Sequence, residues 1–370
     1  MSSTAFIARE IFTGHELHTG KAVLVKDGKI TGITDSTAIP AGYRKEELGG
    51  YLLAPAFIDL QIYGGNGKLF SAELSTEALE ATYEYCLQGG CTQFQITLAT
   101  NSIDKFIQAL EVAREYRNGG GKGLIGVHLE GPYINPVKKG AHIEKFIKKP
   151  TMDEVEMLMK KGKGVIKMMT IAPEQCERNI VEFLLSQKII LSAGHSNATY
   201  TEGINGFAMG IPAATHLFNA MSPLQGREPG MVGAIYDDAD VISSVVCDGI
   251  HVDFASIRIS KKILGERLFF ITDAVAEILH GEYQHVFKGD RYVLPDGTLS
   301  GSALTMLQAV RNGVEKVGIP LPEALRMASL YPASVLHASK KWGSIQPGAF
   351  ADFVLLDDQL NLLRVFTEGE

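Results

Sequence analysis

Apolar and polar segments alternate through the middle of the chain. Eight mostly apolar runs recur at residues 52–63, 92–100, 124–130, 165–171, 189–195, 213–216, 241–248 and 268–273. Most are near-continuous rather than alternating, which is typical of strands buried on both faces of a parallel sheet. Helical patterns lie between them, so the pattern predicts repeated βα units. Eight such units over residues 55–339 predict an α/β fold, a (β/α)8 TIM-like barrel.

A doubly wound open sheet is the alternative for the same pattern. Such a sheet usually has a glycine-rich phosphate turn after its first strand. Residues 63–67 read Tyr-Gly-Gly-Asn-Gly, which is rich in glycine but lacks the required spacing. The barrel is therefore favoured.

Both ends of the chain have β patterns. Apolar residues 22–25 and 30–33 flank Asp27 and Gly28, and an Asp-Gly pair between two apolar runs predicts a hairpin. Near the other end, the turn-rich residues 343–348 precede an apolar strand at 351–356. We therefore expect a small β-sandwich domain formed by residues 1–54 and 340–370, with the barrel at 55–339.

Composition and charge narrow the classes of partner. The 370 residues are 45% hydrophobic and 21% charged, which is ordinary for a globular protein, and the net charge is −7. This charge argues against a nucleic-acid or membrane partner. No apolar run is long enough to span a membrane, and the N-terminus has no signal-peptide pattern. The four cysteines show no Cys-x-x-Cys spacing, so we expect buried free thiols in a cytoplasmic protein.

The barrel prediction also locates the active site, because barrel enzymes carry it at the carboxyl ends of the strands. Polar residues do lie late in the apolar runs: Gln61, Tyr63, Thr97, His128, Glu130, Thr170, His195, His216, Asp248 and Asp273. Five of the ten histidines fall at these ends or in the loops that follow them.

A carboxylate and histidines at neighbouring strand ends suit zinc or a similar ion. Glu130 ends one strand, and the alternative for it alone is a buried carboxylate paired with a basic side chain. His128 faces the same side as Glu130 and is expected in the core or behind the ligands. Asp273 follows four apolar residues and fits a general base for a metal-activated water, the alternative being a salt-bridged strand end.

Five short motifs carry a resemblance to a known family. They are His-Leu-Glu-Gly-Pro at 128–132, Ala-Gly-His-Ser at 193–196, His-Leu-Phe-Asn-Ala-Met at 216–221, Asp-Gly-Ile-His at 248–251 and Thr-Asp-Ala at 272–274. In this order they resemble the N-acetylglucosamine-6-phosphate deacetylases of the amidohydrolase superfamily. Residues 55–59 and 343–352 resemble the superfamily's chain segments at the two borders of the barrel, so the similarity spans nearly the whole chain.

The resemblance implies a role for each matching residue. Glu130, His195 and His216 match the ligands of one divalent metal, with zinc as the first choice and iron or manganese as alternatives. Asp273 matches the catalytic acid and base, and His142 matches a catalytic residue that meets the sugar and the amide carbonyl. The implied substrate contacts are Ala141, His142, Asn219, Ala220, Arg227, Asp248, His251 and Met306. The family also implies a homodimer in which Arg227 reaches the phosphate across the interface.

One segment departs from the superfamily. Many members have His-x-His on the first strand to hold a second metal, whereas Gln61 and Tyr63 stand there in this chain. Neither is a good zinc ligand, so we expect a single-metal site.

The resemblance implies hydrolysis of the N-acetyl group of N-acetylglucosamine 6-phosphate to glucosamine 6-phosphate and acetate, in amino-sugar catabolism. Three alternatives remain at this point. They are the corresponding galactosamine deacetylase, a cyclic-amide or N-acyl amino-acid hydrolase of the same fold, and a catalytically dead scaffold.

Overall fold

The central element of the fold is an eight-stranded parallel sheet. The computed structural model describes residues 3–370. Its barrel strands, numbered in chain order, are β1 (Phe57–Ile62), β2 (Cys91–Ala99), β3 (Leu124–Glu130), β4 (Ile166–Ile171), β5 (Ile190–Ala193), β6 (Ala213–Ala214), β7 (Ile242–Val246) and β8 (Leu268–Ile271). Each strand pairs with the next along the chain. Helices between the strands complete the βα repeats, and the predicted barrel is confirmed.

Hydrogen bonds beyond the end of β8 close the sheet on itself. The backbone N–H of Asp273 donates to the carbonyl oxygen of Gln61 at 2.9 Å, and the N–H of Tyr63 donates to that of Ala274 at 2.8 Å. A closed sheet excludes the doubly wound alternative.

Helices connect successive barrel strands. They are Phe70–Glu73 and Thr76–Gln88 after β1, Ile103–Asn118 after β2, Met152–Lys161 after β3, Arg178–Ser186 after β4, Tyr200–Ala208 after β5, Gly230–Asp237 after β6 and Phe254–Leu264 after β7. Short 3₁₀ turns lie at Pro136–Lys138, Glu144–Phe146, Pro173–Gln175 and Gly265–Arg267. None of the helices in the described part of the chain has the length and apolar character that a membrane span requires.

The first part of the segment after β8 was not predicted from the sequence. It forms a three-stranded antiparallel sheet of Val286–Phe287, Arg291–Val293 and Leu299–Ser302. The chain then continues through helices Met306–Asn312, Leu321–Ala328 and Leu330–Val335, with a π-helical turn at Gly313–Val317.

The two ends of the chain form two further sheets. One contains Ser3–Ile7, Lys21–Lys26, Lys29–Asp35 and Arg44–Glu47, and the other contains Glu10–Phe12, Leu17–Thr19, Leu52–Pro55, Phe353–Leu356 and Leu362–Phe366. Both sheets contribute to one core, in which the ring of Phe6 packs edge-on against Phe353 at 5.7 Å and Phe366 at 5.1 Å. The predicted small β domain from both termini is confirmed.

The predicted first run of the barrel divides into two strands. Leu52–Pro55 pairs antiparallel with Phe353–Leu356, whereas Phe57–Ile62 is β1. The change occurs at Ala56, whose N–H still donates to Asp352 at 3.0 Å, while the next N–H, of Phe57, donates to Gly90 at 2.9 Å. A continuous apolar run does not reveal this exchange of partners.

Backbone proximity divides the chain into two compact units. One contains the chain up to Ile58 with Cys86–Thr92 and Met306–Glu370, and the other contains Asp59–Tyr85 and Gln93–Thr305. The boundaries at 54/55 and 339/340 stay predictions. All four cysteines are free and buried, as expected.

Candidate active site

A pocket with a cavity volume of about 170 Å³ lies at the carboxyl ends of the barrel strands. Strand ends and the loops after them supply its walls: Tyr63, Leu69, Ser71, Ala99, Glu130, Gly140, Ala141, His142, His195, His216, Asn219, Ala220, His251, Asp273, Val275, Tyr283, His285, Leu299, Ser300 and Gly301. Most of the residues predicted for the site are therefore brought together.

Three potential metal ligands converge in this pocket. The side chains of Glu130, His195 and His216 place one ligand atom each within 4.8 Å of the others. The Nε2 atom of His216 lies 2.9 Å from Oε1 of Glu130 and 3.2 Å from Nε2 of His195. All three side chains are buried. The structure confirms that these residues lie together.

The hydrogen bonds of His195 fix its tautomer. Its Nδ1 lies 2.8 Å from the carbonyl oxygen of Lys138, and a carbonyl only accepts, so Nδ1 carries the proton. In the neutral ring, the Nε2 that faces His216 and Glu130 then has a free lone pair. This is the arrangement in which histidine ligates a metal.

The donor set fits a divalent metal. Two imidazoles and one carboxylate face the same point, and this is the ligand chemistry of a catalytic zinc-type site. Nδ1 of His216 is buried without a hydrogen-bond partner in the described chain, so the contacts that hold the ring are those of its Nε2 with Glu130 and His195. A cation bound by all three side chains would fix their positions relative to one another.

A glycine makes room for this arrangement. A Cβ atom on Gly194 would lie 2.7 Å from Cγ2 of Thr170 and 3.0 Å from Cβ of Thr215. Any larger residue would push apart the strands that lead to His195 and His216.

Glu130 also accepts hydrogen bonds from two side chains at the end of β1, each on an oxygen that a histidine contacts as well. Gln61 donates from Nε2 to Glu130 Oε1 at 3.0 Å and to Asp273 Oδ1 at 2.8 Å. The hydroxyl of Tyr63 donates to Glu130 Oε2. Burial alone would raise the pKa of Glu130, but the charge and hydrogen bonds of the neighbouring imidazoles hold it well below its usual range. Glu130 is therefore ionised, and the alternative, a pairing with a lysine or arginine, is not found among the described residues.

His142 is positioned as a neutral hydrogen-bond donor. The backbone N–H of Thr100 donates to its Nδ1 at 3.2 Å, so Nδ1 accepts and the proton resides on Nε2. That Nε2 lies 3.2 Å from Glu130 Oε2 and lines the pocket. Burial lowers the pKa of His142 to about 4, so the ring stays neutral near pH 7.

Asp273 lies beside the three potential ligands. It lines the pocket and accepts from Gln61, and its side chain is almost fully buried. Burial raises its pKa, and the negative charge of Glu130 acts in the same direction. A carboxylate with a raised pKa in a closed pocket has the properties of a general base.

The predicted sugar contacts divide by position. Ala141, Asn219, Ala220 and His251 line the pocket. Asp248 does not, but its Oδ2 lies 2.6 Å from Nδ1 of His251 and orients that ring. Although burial opposes it, the hydrogen bond from His251 lowers the pKa of Asp248, which is therefore ionised.

Arg227 and Met306 are not among the lining residues. Arg227 is exposed in the loop at 222–230, and no hydrogen bond or ion pair to it is found in the described part of its own chain. Met306 is buried at the start of the helix Met306–Asn312, while the lining residues that precede it in sequence are Leu299, Ser300 and Gly301.

His128 is a core residue, as expected. It is fully buried, its Nδ1 lies 3.3 Å from the carbonyl oxygen of Leu60, and its Nε2 lies 2.7 Å from the hydroxyl of Thr170. That hydroxyl also lies 2.7 Å from the hydroxyl of Thr215, the residue before His216, at hydrogen-bond distance. His128 thus supports the strands behind the ligands.

The sequence analysis missed two aromatic residues of the pocket. Tyr283 and His285 precede the three-stranded sheet after β8, and Tyr283 donates to the carbonyl oxygen of Thr100 at 2.6 Å. The Asp296-Gly297 pair after an apolar run was the available signal, since it predicts a hairpin here.

The chain is similar to known proteins over nearly its whole length. The amidohydrolase family model matches residues 52–370. The N-acetylglucosamine-6-phosphate deacetylase of Haemophilus influenzae is 34% identical over 377 residues, 99% of this chain and 98% of that protein. The N-acetylgalactosamine-6-phosphate deacetylase of a Shewanella species is 31% identical, over 98% of this chain and 94% of that protein. The crystal structure of N-acetylglucosamine-6-phosphate deacetylase from Pasteurella multocida superposes with a TM-score of 0.95 and 35% identity, covering 100% of this chain and 99% of that one.

Proposed function

The chain belongs to the amidohydrolase family, and on that premise we propose that it hydrolyses the N-acetyl group of N-acetylglucosamine 6-phosphate. The products are glucosamine 6-phosphate and acetate. The observation that carries this proposal is the group Glu130, His195 and His216 beside the buried carboxylate of Asp273. A catalytically dead scaffold would be expected to lack part of this set.

Amide hydrolysis requires an activated water, a polarised carbonyl and a proton for the departing amine. Glu130, His195 and His216 would hold a divalent metal, which would lower the pKa of a nearby water and polarise the substrate carbonyl. Asp273 accepts the proton of the attacking water and delivers it to the nitrogen as the C–N bond breaks. The Nε2–H of His142 donates a hydrogen bond to the carbonyl oxygen, a kind of contact that is worth about 3–4 kcal/mol in known enzymes.

One metal per subunit is the second part of the proposal. Gln61 and Tyr63 place two hydrogen-bond donors between Glu130 and Asp273, where a second cation would need ligands. An amide and a phenol are poor ligands for zinc. Zinc is the first choice for the single site, and iron or manganese would accept the same ligands. Two ions per subunit at full occupancy would contradict this assignment.

The phosphate is proposed to meet Arg227 of a second copy in a homodimer. No lysine or arginine among residues 3–370 lines the pocket, although a phosphate dianion needs a cationic partner. Arg227 is exposed and makes no contact with an acidic group of its own described chain, so its planar fork is available to another subunit. Asn219, Ala220 and His251, with Asp248 behind it, are proposed to contact the sugar, and Ala141 the region next to His142. Met306 is proposed as a substrate contact only because it is close in sequence to the lining residues Leu299, Ser300 and Gly301.

The galactosamine epimer is the second candidate substrate. The Shewanella relative, which is named for that activity, matches almost as much of this chain at 31% identity. The two sugars differ at one hydroxyl, and comparing kcat/KM for both phosphorylated sugars distinguishes them.

The four buried free thiols favour a reducing, cytoplasmic setting.

The first experiment is the deacetylation of N-acetylglucosamine 6-phosphate with zinc supplied, beside the unphosphorylated sugar. A large kcat/KM that collapses without the phosphate is the expected result. Activity on neither sugar would refute the proposal and would favour the alternative substrates, cyclic amides or N-acyl amino acids. Metal analysis of the wild type and His216→Ala separates the scaffold alternative, because a scaffold without a metal site would show no metal in either protein.

A further inference from the structure

One end of the pocket is apolar. Tyr63, Leu69, Val275 and Tyr283 line the pocket and also pack together in one buried cluster. We call these four residues the apolar wall. A fifth member of the cluster, Ile278, is buried behind the wall and does not line the pocket.

The topology places the apolar wall on a different side of the barrel mouth from Asn219 and Ala220, two of the proposed sugar contacts, while His251 follows β7, the neighbour of β8. Its residues follow β1 and β8, which are neighbours in the closed barrel. Asn219 and Ala220 follow β6, and His195 follows β5. In a barrel of eight strands, β5 stands opposite β1.

The geometry of an amide then relates the two ends of the pocket. The carbonyl carbon carries the nitrogen, and hence the sugar, on one side and the acyl carbon on the other. If the sugar lies towards the β6 side, with the carbonyl at Glu130 and His142, the acyl group extends towards β1 and β8. The pocket is lined there by the side chains of the apolar wall and by Ala99, which packs against them.

We propose that the apolar wall receives the methyl group of the substrate and limits the acyl chain to two carbons. This inference rests on the proposed deacetylation and assigns its acyl specificity. Leu69 and Val275 are nearly inaccessible to solvent, at 1% and 6% exposed, so their neighbours fix the surface that they present to the pocket. Tight packing makes cores sensitive to even one added methylene.

The test compares N-acetyl, N-propionyl and N-butyryl glucosamine 6-phosphate. For the wild type, kcat/KM should fall at least about tenfold for each added methylene, as in other pockets that exclude by size. Leu69→Ala and Val275→Ala each remove carbons from a different part of the wall. Each should raise the propionyl-to-acetyl ratio of kcat/KM by at least about tenfold.

Ile278→Ala is the matched control, because it truncates the same cluster behind the pocket. It should lower the stability of the fold while leaving the propionyl-to-acetyl ratio of kcat/KM within about twofold of the wild type. This small change can be distinguished from the change of about tenfold expected for the two wall variants. Equal ratios in all three variants and the wild type would overturn the role of the wall.

Binding supplies a second readout that does not depend on turnover. In an Asp273→Asn background, calorimetry should give a weaker Kd for the propionyl than for the acetyl sugar, and Leu69→Ala should remove that difference. If the wild type hydrolyses none of the three compounds, the deacetylase proposal and the wall both fail. If it hydrolyses the acetyl sugar but Leu69→Ala and Val275→Ala keep its acyl preference, only the wall fails.

Discussion

Tyr63→Phe removes one hydroxyl from the pocket and leaves the ring in the apolar wall. In the native chain this hydroxyl donates to Oε2 of Glu130, and the carboxylate is only 1% exposed. Water therefore has little access to replace the lost donor. The remaining donor to the same oxygen is Nε2 of His142 at 3.2 Å.

The expected loss follows from that geometry. A hydrogen bond to a charged group contributes about 1.5–3 kcal/mol. Removing a partner that orients a metal ligand typically costs about 10–100-fold in metal affinity, which is about the same energy. We therefore expect Tyr63→Phe to weaken zinc binding about 10–100-fold.

Competition with a chelator at constant pH measures the affinity directly. Tyr116→Phe is the matched control, because its hydroxyl donates to Oε2 of Glu80 at 2.6 Å, a phenol–carboxylate bond outside the pocket. The control should leave zinc affinity unchanged. A zinc affinity of Tyr63→Phe equal to that of the control would show that this hydroxyl does not orient Glu130.

Three further substitutions test the remaining parts of the site and fold. Asp273→Asn should keep the metal and lose most of kcat, because the amide cannot accept the proton of water, and metal content measured beside turnover decides this; unchanged kcat would remove Asp273 from the mechanism. Arg227→Ala should raise KM strongly for N-acetylglucosamine 6-phosphate and little for the free sugar, and equal effects in steady-state kinetics would refute the phosphate contact. Asp59→Asn tests the linkage between pH and stability. Burial raises the pKa of Asp59 from 3.8 to about 7, so the folded chain keeps this proton up to a higher pH than the unfolded chain does. The stability of the wild type therefore falls as the pH rises from about 4 to 7. In urea unfolding, the stability of Asp59→Asn relative to the wild type should therefore rise by about 2–3 kcal/mol between about pH 5 and 8, and a difference independent of pH would contradict the raised pKa.

Strand positions with strong local signals were predictable from the sequence. The run 124–130 is the strand Leu124–Glu130 to the residue, because the flanking Gly123 and Gly131 both have positive φ and interrupt the extended backbone. The grouping of the potential metal ligands followed from the rule that strand ends meet at one face of a barrel.

Contacts between distant segments were not predictable in the same way. Tyr63 was noticed as a departure from the superfamily, but its hydrogen bond to Glu130 joins residues 67 positions apart, and no local pattern specifies it. The same holds for Tyr283, whose hydroxyl meets the backbone of Thr100 across 183 positions. The short strands around Tyr283 have too few residues for a periodic pattern.

Three of the errors in the strand ends have one physical cause. The sequence predicts strands through His195, His216 and Asp273, whereas the observed strands end at residues 193, 214 and 271. At each of these three residues φ is positive, at 47°, 37° and 55°, and Phe218 and Ala220, which follow β6, share this conformation.

A left-handed conformation costs a residue other than glycine roughly 1–2 kcal/mol, so local preference favours continuing the strand. The fold overrides that preference at the ligand and base positions, where the turn out of the strand aims the side chain into the pocket instead of along the barrel wall. Such strain persists only where surrounding contacts determine it. A metal that binds only the native arrangement adds stability at these same positions. Two of the potential metal ligands and the proposed base are therefore among the residues whose backbone contradicts their local preference, and a purely local prediction of the strand ends fails there.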